Sequence, residues 1–530
     1  MSPLPTITTL ARSGALDRAW ALFREGGYDA ATADPAALAV KGRLLKDMAL
    51  RSEGAARVDY LDRARAAYAA ADTLDPQPYL LINVAALAQL AGDAEEAKRV
   101  ARAVIARLDQ PGWAETPYWL QATWAEAMLI VGDTAAASAG LALAISHDPD
   151  GWADHASTLR QFTRLIAAMG GDASWLDGHR PPRSLHYAGH LGVDSDDGAS
   201  LRAQVDALLA DQRIGFGFGA LAAGSDIVIA ESLIARGAEL QVILPMRKDD
   251  FLDLSVRPYG DGWTQRFEAC LAAAAHVNEV TQADGDYDPL ATALAGDFAM
   301  GAALLNARKL ESEAVQLLVI DEGDGPFGGG ASTARDGEVW QRAGGAQHVI
   351  RFARNAPVPP SALQSEGRAD RPLLALLHIG FDGVDRLSEG DFARFVDHGL
   401  SPWLAQVAAL DNQPDFTQPM GSARLYGFAS IASAAHFARR LHALDPPSGH
   451  PVRIAGHYGL VHIHAGNMLS PAISGLLAVA QSAMPGAICV TEHFALALSA
   501  HDRAAELEHI GEHDAPGGST MRLFGLKTGV

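Results

Sequence analysis

The chain has 530 residues, more than one hydrophobic core organises, because single cores stop growing near about 250–300 residues. Hydrophobic residues make up 48% and charged residues 20%, a globular rather than a disordered composition. Lys and Arg number 42 against 63 Asp and Glu, a formal charge of −21, so the chain lacks the concentrated basic surface that nucleic-acid binding needs.

The two cysteines, Cys270 and Cys489, are too few for a disulfide framework or a cysteine-ligated zinc site, and they point to a reducing, cytoplasmic compartment. The start, MSPLPTITTLARSGALDRAW, lacks the basic-then-apolar order of a secretory signal. The longest apolar stretch, 472–490, is interrupted by Gly475, Gln481 and Pro485, so no membrane partner is expected.

Over residues 1–178 the pattern is helical. Apolar residues recur at three and four spacing in Leu81, Val84, Leu87 and Leu90, then in Ala97, Val100, Ala101 and Val104. Gly92-Asp93 separates the two stripes, a helix stop followed by a helix start. The pair returns at Gly132-Asp133 and Gly171-Asp172, at spacings of 40 and 39 residues. Such a unit resembles a tetratricopeptide-type repeat, with GDAEEAKRVARAVIARLDQP as its best stretch. Stacked units bury their apolar stripes against one another and form a concave face suited to a protein partner. An ordinary helical domain without a groove is the plainer alternative.

At 178–184 (GHRPPRS) the composition changes as at a linker. From 184 to 322 strands alternate with helices: strands at 185–189, 214–219, 240–245 and 315–320, helices at 201–211, 226–237, 263–276 and 290–309. The alternation predicts right-handed crossovers and a parallel sheet. The run 323–370, rich in Gly, Pro, Ala and Arg, reads as a linker. From 371 to 530, strands at 373–378, 452–454, 460–464, 488–491 and 521–526 mix with helices at 389–409, 431–442 and 471–483. Residues 452–464 read as a hairpin around His457-Tyr458-Gly459, and an antiparallel sheet with helices on one face is expected. The fold class is therefore multidomain: all-α helical repeats, then an α/β Rossmann-like parallel sheet, then an α+β domain.

The first chemical feature is the run GFGFGALAAGSD, 215–226, in which a strand ends in small residues and turns into a helix. Glycines let the backbone approach a ligand there, and a helix N-terminus offers N–H groups to a phosphate. A bare tight turn is the alternative. The block 187–309 resembles the SLOG superfamily of Rossmann-like nucleotide sensors. The matching pieces are Tyr187-Ala188-Gly189-His190, the loop GALAAGSD at 219–226, the run ESLIARGAE at 231–239, LQVILP at 240–245 and WTQRF at 263–267. The resemblance implies a nucleotide or nucleotide derivative at the carboxyl ends of the strands. The implied contact set is Gly189, His190, Gly219, Gly224, Ser225 and Asp226, with Glu231 further along the helix. No phosphoribohydrolase PGGxGT-type loop is present.

Residues 372–528 resemble the class III adenylate/guanylate cyclase homology domain, which is α+β and ferredoxin-like. The landmarks are LLALLHIGFDGVDRLSE (373–389), GSARLYGF (421–428), VRIAGHYGLV (452–461), PGAICVTEHFA (485–495) and the end, 507–526. That family implies two divalent ions held by two aspartates, a transition-state arginine and a base-selecting lysine. Here the aspartate positions fall on Gly380 and Ser422, the arginine helix reads SPAISGLLA (470–478) without a basic residue, and Ala515-Pro516-Gly517-Gly518 stands where the lysine is expected. Asp382 and Asp385 could supply a shifted ligand. His462 and His464 alternate on one strand face, with His457 nearby and Glu492-His493 later in the chain, a pattern that can hold a transition metal but is more often half-exposed strand.

The sequence thus predicts a non-catalytic signalling protein with no catalytic residue, no resident metal and no certain cofactor. A nucleotide-type small molecule is expected at the SLOG-like segment, a protein on the repeats, and a homodimer through the degenerate cyclase-like segment. An active nucleotidyl cyclase with a shifted metal site and a scaffold with an empty pocket are the alternatives.

Overall fold

The computed structural model describes residues 4–12, 16–193, 198–281, 287–321, 331–354, 371–483, 486–514 and 520–527. The chain divides into two compact units, Met1–Pro181 with Lys309–Glu311, and Pro182–Arg308 with Ser312–Val530.

The first unit is helical: α1 (Leu4–Arg12), α2 (Leu16–Glu25), α3 (Pro35–Leu50), α4 (Gly54–Leu74), α5 (Pro78–Leu90), α6 (Ala94–Leu108), α7 (Pro117–Val131), α8 (Thr134–His147) and α9 (Trp152–Ala168). Its punctuation follows the glycine–aspartate pairs. Gly92 (φ 87°) and Gly132 (φ 104°) take the left-handed conformation that stops α5 and α7. Asp93 and Asp133 then accept the N–H groups of Glu96 (3.3 Å) and Ala136 (2.9 Å) to start α6 and α8. The third pair behaves differently: Asp172 accepts the N–H of Ser174 (3.0 Å), and a 3-10 turn, Ser174–His179, follows instead of another repeat helix. Leu87, Ala97, Val100, Ala101 and Val104 are buried in one core shared by α3 to α9.

The second unit carries two sheets. The first contains β1 (Arg183–Gly189), β2 (Ile214–Gly219), β3 (Glu239–Leu244), β4 (His276–Glu279), β5 (Ala314–Ile320) and β6 (Gln347–Arg351), in the order β4-β3-β2-β1-β5-β6. All its pairings are parallel, as the strand–helix alternation predicts. The helices between them are α10 (Gly198–Asp211), α11 (Ser225–Ala235), α12 (Lys248–Ser255), α13 (Asp261–Ala273), α14 (Pro289–Lys309) and α15 (Ala331–Arg342). Within 323–370, read from sequence as a linker, the structure places α15 and the edge strand β6. Composition hid them because α15 is polar apart from the buried Val339 and Trp340, and β6 buries only Ile350. Among the described helices, α14 has the length and apolarity to cross a membrane, and most of it is buried inside the unit.

The second sheet contains β7 (Leu373–Phe381), β8 (Phe416–Met420), β9 (Ala423–Phe428), β10 (Val452–Leu460), β13 (Ile488–Thr491), β14 (Leu507–Asp514) and β15 (Thr520–Leu526), in the order β14-β15-β13-β10-β7-β9-β8. A separate ribbon pairs β11 (His462–His464) with β12 (Asn467–Leu469). The helices are α16 (Glu389–Arg394), α17 (Ser401–Ala408), α18 (Ile431–His442), α19 (Pro471–Ser482) and α20 (Glu492–His501). Three expectations are corrected. The sheet is mixed, because β10 and β13 run parallel. Residues 452–460 form one strand paired with β7 throughout, not half of a hairpin. His457-Tyr458-Gly459 suggested a turn, but the strand runs straight through it, and just before it the bare Cα of Gly456 admits Val490 and Phe494, where a Cβ would sit 2.9 and 3.1 Å away. Helices cover both faces: α19 buries Leu476 and Val479 with Leu374, Leu376 and Leu425, whereas Phe437 of α18 packs on Tyr426 and Phe428, which point the other way along β9.

Candidate functional site

In the parallel sheet, β1 and β5 are neighbours whose following segments lead to opposite sides, β1 toward β2 and β5 toward β6. Such a switch point opens a crevice at the carboxyl ends of the strands. Gly189 ends β1, Gly219 ends β2, and Gly224, Ser225 and Asp226 lead into α11. The structure brings these segments together. The Gly189 N–H donates to Asp226 Oδ1 (2.9 Å), the Ser225 hydroxyl donates to the His190 carbonyl (3.1 Å), and Leu191 bridges to Gly224.

The polar side chains of this set are turned onto the protein's own backbone. His190 is buried, with Nδ1 2.9 Å from the Leu191 carbonyl and Nε2 2.8 Å from the Phe352 carbonyl. Asp226 also accepts the Ala222 N–H (3.3 Å), so its carboxylate organises the loop between β2 and α11. Burial pushes that carboxyl up to about 7, with the charge of Asp336 adding to the effect. The glycines serve close approach. A Cβ on Gly219 would lie 2.7 Å from both the ring and the carbonyl of Tyr187. Gly224 has φ 120°, and a Cβ there would meet the His190 carbonyl at 3.0 Å.

Glu231 stands apart from this cluster. It accepts Arg266 Nε and Nη2 at 2.7 and 2.8 Å, and Arg266 lies 4.1 Å over the Trp263 ring, tying α11 to α13. Sequence reasoning missed Thr333 of α15, whose hydroxyl donates to the Gly189 carbonyl (3.4 Å). A ligand here would be held chiefly by backbone groups around Gly189 and the start of α11. The segments after β1 and β5, 194–197 and 322–330, lie outside the described residues.

In the mixed sheet, Gly380 pairs with Arg453 across β7 and β10, and Ser422 occupies the turn between β8 and β9. A Cβ on Gly380 would meet only the His378 ring, at 3.3 Å. Asp382 accepts Arg453 Nη2, and this hydrogen bond holds its carboxyl below the ordinary range. Arg453 also donates to the Gln481 and Ala483 carbonyls (2.7 and 3.0 Å). Asp385 is exposed on a 3-10 turn, Val384–Arg386. Among the described residues no three His, Cys, Asp or Glu side chains cluster as metal ligands. His462 and His464 are exposed on β11. His457 is buried beside the half-buried His493, ring centroids 5.1 Å apart, and desolvation pushes them down to about 3 and about 4. Residues 515–518, where the lysine is expected, lie outside the described residues.

The chain is similar to one family model and to several solved structures. Residues 6–88 match the Tetratricopeptide Repeats-Sensor family. No curated protein matches the chain. Similar solved structures include an adenylate/guanylate cyclase/hydrolase from Silicibacter pomeroyi, 17% identical over 29% of this chain and 96% of that one, with a TM-score of 0.24. The catalytic core of a rhodopsin-guanylyl cyclase is 11% identical over 29% and 94%, with a TM-score of 0.25. A TPR protein of Thermus thermophilus is 19% identical over 32% and 97%, with a TM-score of 0.21.

Proposed function

We propose that the chain is a non-catalytic signalling protein. In this reading the parallel sheet senses a nucleotide or nucleotide derivative, the helical repeats engage a protein, and the mixed sheet is a pseudo-cyclase that pairs two copies. The observation that carries it is the pair Gly380 and Ser422, a bare Cα and a hydroxyl where two-metal nucleotidyl transfer needs carboxylates. Each divalent ion demands anionic oxygens close at hand, and neither residue supplies one. The ions would otherwise activate the attacking hydroxyl and neutralise the leaving pyrophosphate, so their loss removes the reaction rather than slowing it.

A shifted metal site is the competing reading, and it depends on Asp382 or Asp385. Asp382 is committed to Arg453, and releasing it would leave the guanidinium without its counter-ion. The sensing half of the proposal rests on the switch-point geometry and on the glycines that draw β1, β2 and α11 together. The test is incubation of the purified chain with ATP or GTP and manganese. No cyclic nucleotide is expected, and accumulation of either cyclic product overturns the reading. Thermal unfolding in the presence of mono-, di- and cyclic nucleotides tests the sensing half. A shift with one of them is expected, and no shift with any favours a scaffold.

A further inference from the structure

At the other end of the parallel sheet, where the strands begin, lies a cavity of about 400 Å³. Three arginines line it: Arg183, which opens β1, Arg308 near the end of α14, and Arg503, which follows α20 of the mixed sheet. Gln212 and Glu313 are among the other lining residues. In a chain of net charge −21, three cations around one cavity need an explanation.

Arg503 has the most exacting surroundings. Its guanidinium lies 4.4 Å from the Trp340 ring centroid and presses against Gly345, where any side chain would collide with it. Its Nε and Nη2 are buried without a hydrogen-bond partner. The neighbouring charge is another cation: Arg308 donates to the backbone carbonyls of Arg503 and Ala505 (2.5 and 3.1 Å). Burial, with Arg308 adding to it, holds Arg503 below its ordinary range. The carboxylate lining the cavity, Glu313, is paired with Arg183 at 2.7 Å. A stacked ring offsets part of the cost of a buried cation, but not the loss of its hydrogen bonds.

We propose that this cavity binds a small oxyanion-bearing molecule, a phosphate or a carboxylate, between Arg503, Arg308 and Arg183. The fork of a guanidinium matches two oxygens of either group, and Arg503 lines the cavity with Nε and Nη2 unpartnered, so its fork can turn to an occupant without breaking a hydrogen bond at that edge. The volume admits a ligand beyond a bare ion. The site lies at the opposite end of the strands from the carboxyl-end crevice, so it is separate from the sensing site proposed above. One of its arginines comes from α14 and another from the mixed-sheet segment, so an occupant ties the two sheets together.

The test is thermal unfolding of the full chain at equal ionic strength in chloride, acetate or inorganic phosphate. At about tenfold excess over Kd, a bound anion should raise Tm by roughly 2–4 °C over chloride. Response to phosphate alone assigns a phosphate ligand, and response to acetate assigns a carboxylate. Arg503→Met keeps the stem on Trp340 and removes the fork, so it should match or exceed the wild-type Tm in chloride and lose the anion response. Arg183→Gln, at a part-exposed position that tolerates change, should weaken anion affinity several-fold and decides the matter if Arg503→Met does not fold. Equal Tm values in all three buffers, or a full response in both variants, would overturn the proposal.

Discussion

The carboxyl ends of the parallel sheet and the hairpin end of the mixed sheet are furnished in opposite ways. At the first, the expected residues are present, but Asp226, Ser225 and His190 spend their polar groups on neighbouring backbone. At the second, Gly380 and Ser422 carry no anionic group, and Asp382, two residues beyond Gly380, is held by Arg453. At the first, glycines and a buried aspartate bend a strand end onto a helix start. On the proposed reading the second keeps a sheet and loses its chemistry, because a strand accepts glycine at a position where a metal ion accepts only an anion.

The comparison can be broken most forcefully where the two sheets meet. Asp297 of α14 is fully buried and accepts Arg335 of α15 (2.9 and 3.0 Å) and the Tyr458 hydroxyl of β10 (3.3 Å), with His501 Nε2 3.0 Å away. Asp297→Ala takes from Arg335 its bidentate partner, leaving it Asp336 (3.2 Å) and the Ala293 carbonyl (3.2 Å), and leaves Tyr458 unbonded, and should cost about 2–4 kcal/mol. Denaturant unfolding followed in both sheets checks this, and a loss below about 1 kcal/mol would show that the sheets do not depend on the carboxylate.

Gly219→Ala is the next test. It should cost about 1–3 kcal/mol, because its methyl group meets the Tyr187 carbonyl, which belongs to a central strand and cannot swing aside. An unchanged unfolding midpoint would mean that this glycine is kept for a ligand rather than for packing.

Asp226 sharpens the comparison through pH. Its carboxyl titrates at about 7 when folded against an ordinary 3.8, so between those values the folded state holds the extra proton and stability falls as pH rises. Asp226→Asn lacks that slope. The wild type should lose ground to the variant from pH 4 to pH 7 and hold level above, and parallel stability curves would contradict the assignment. The smallest effect belongs to Glu231→Gln, which weakens the tie to Arg266 and should cost about 1 kcal/mol without altering nucleotide affinity. A large affinity loss would return Glu231 to the ligand.

Much of the scaffold was legible in the sequence. Period-three-and-four stripes and glycine–aspartate pairs marked the repeat helices, and strand–helix alternation marked the parallel sheet. What stayed hidden had weak local signals. Strand β6 is short and one-sided, and α15 carries only two buried large side chains. His457-Tyr458-Gly459 looked like a turn because sequence does not reveal that β7 pairs along the whole of 452–460. For the proposed ligand site the resemblance named Asp226 and Glu231, and only geometry shows that one organises a loop and the other ties two helices. Asp297 left a usable sign that went unread, a lone carboxylate inside the apolar run ALAGDFAMGAALL. Such a residue needs buried partners, and Arg335, Tyr458 and His501 supply them.

The most direct measurement of whether the mixed sheet has lost its reaction is a manganese titration, read by electron paramagnetic resonance, with a non-hydrolysable ATP or GTP analogue present. The account predicts that the free manganese signal tracks the analogue alone and is unchanged by added protein. Protein-dependent loss of that signal at one or two ions per chain, abolished by Asp382→Asn, would contradict it.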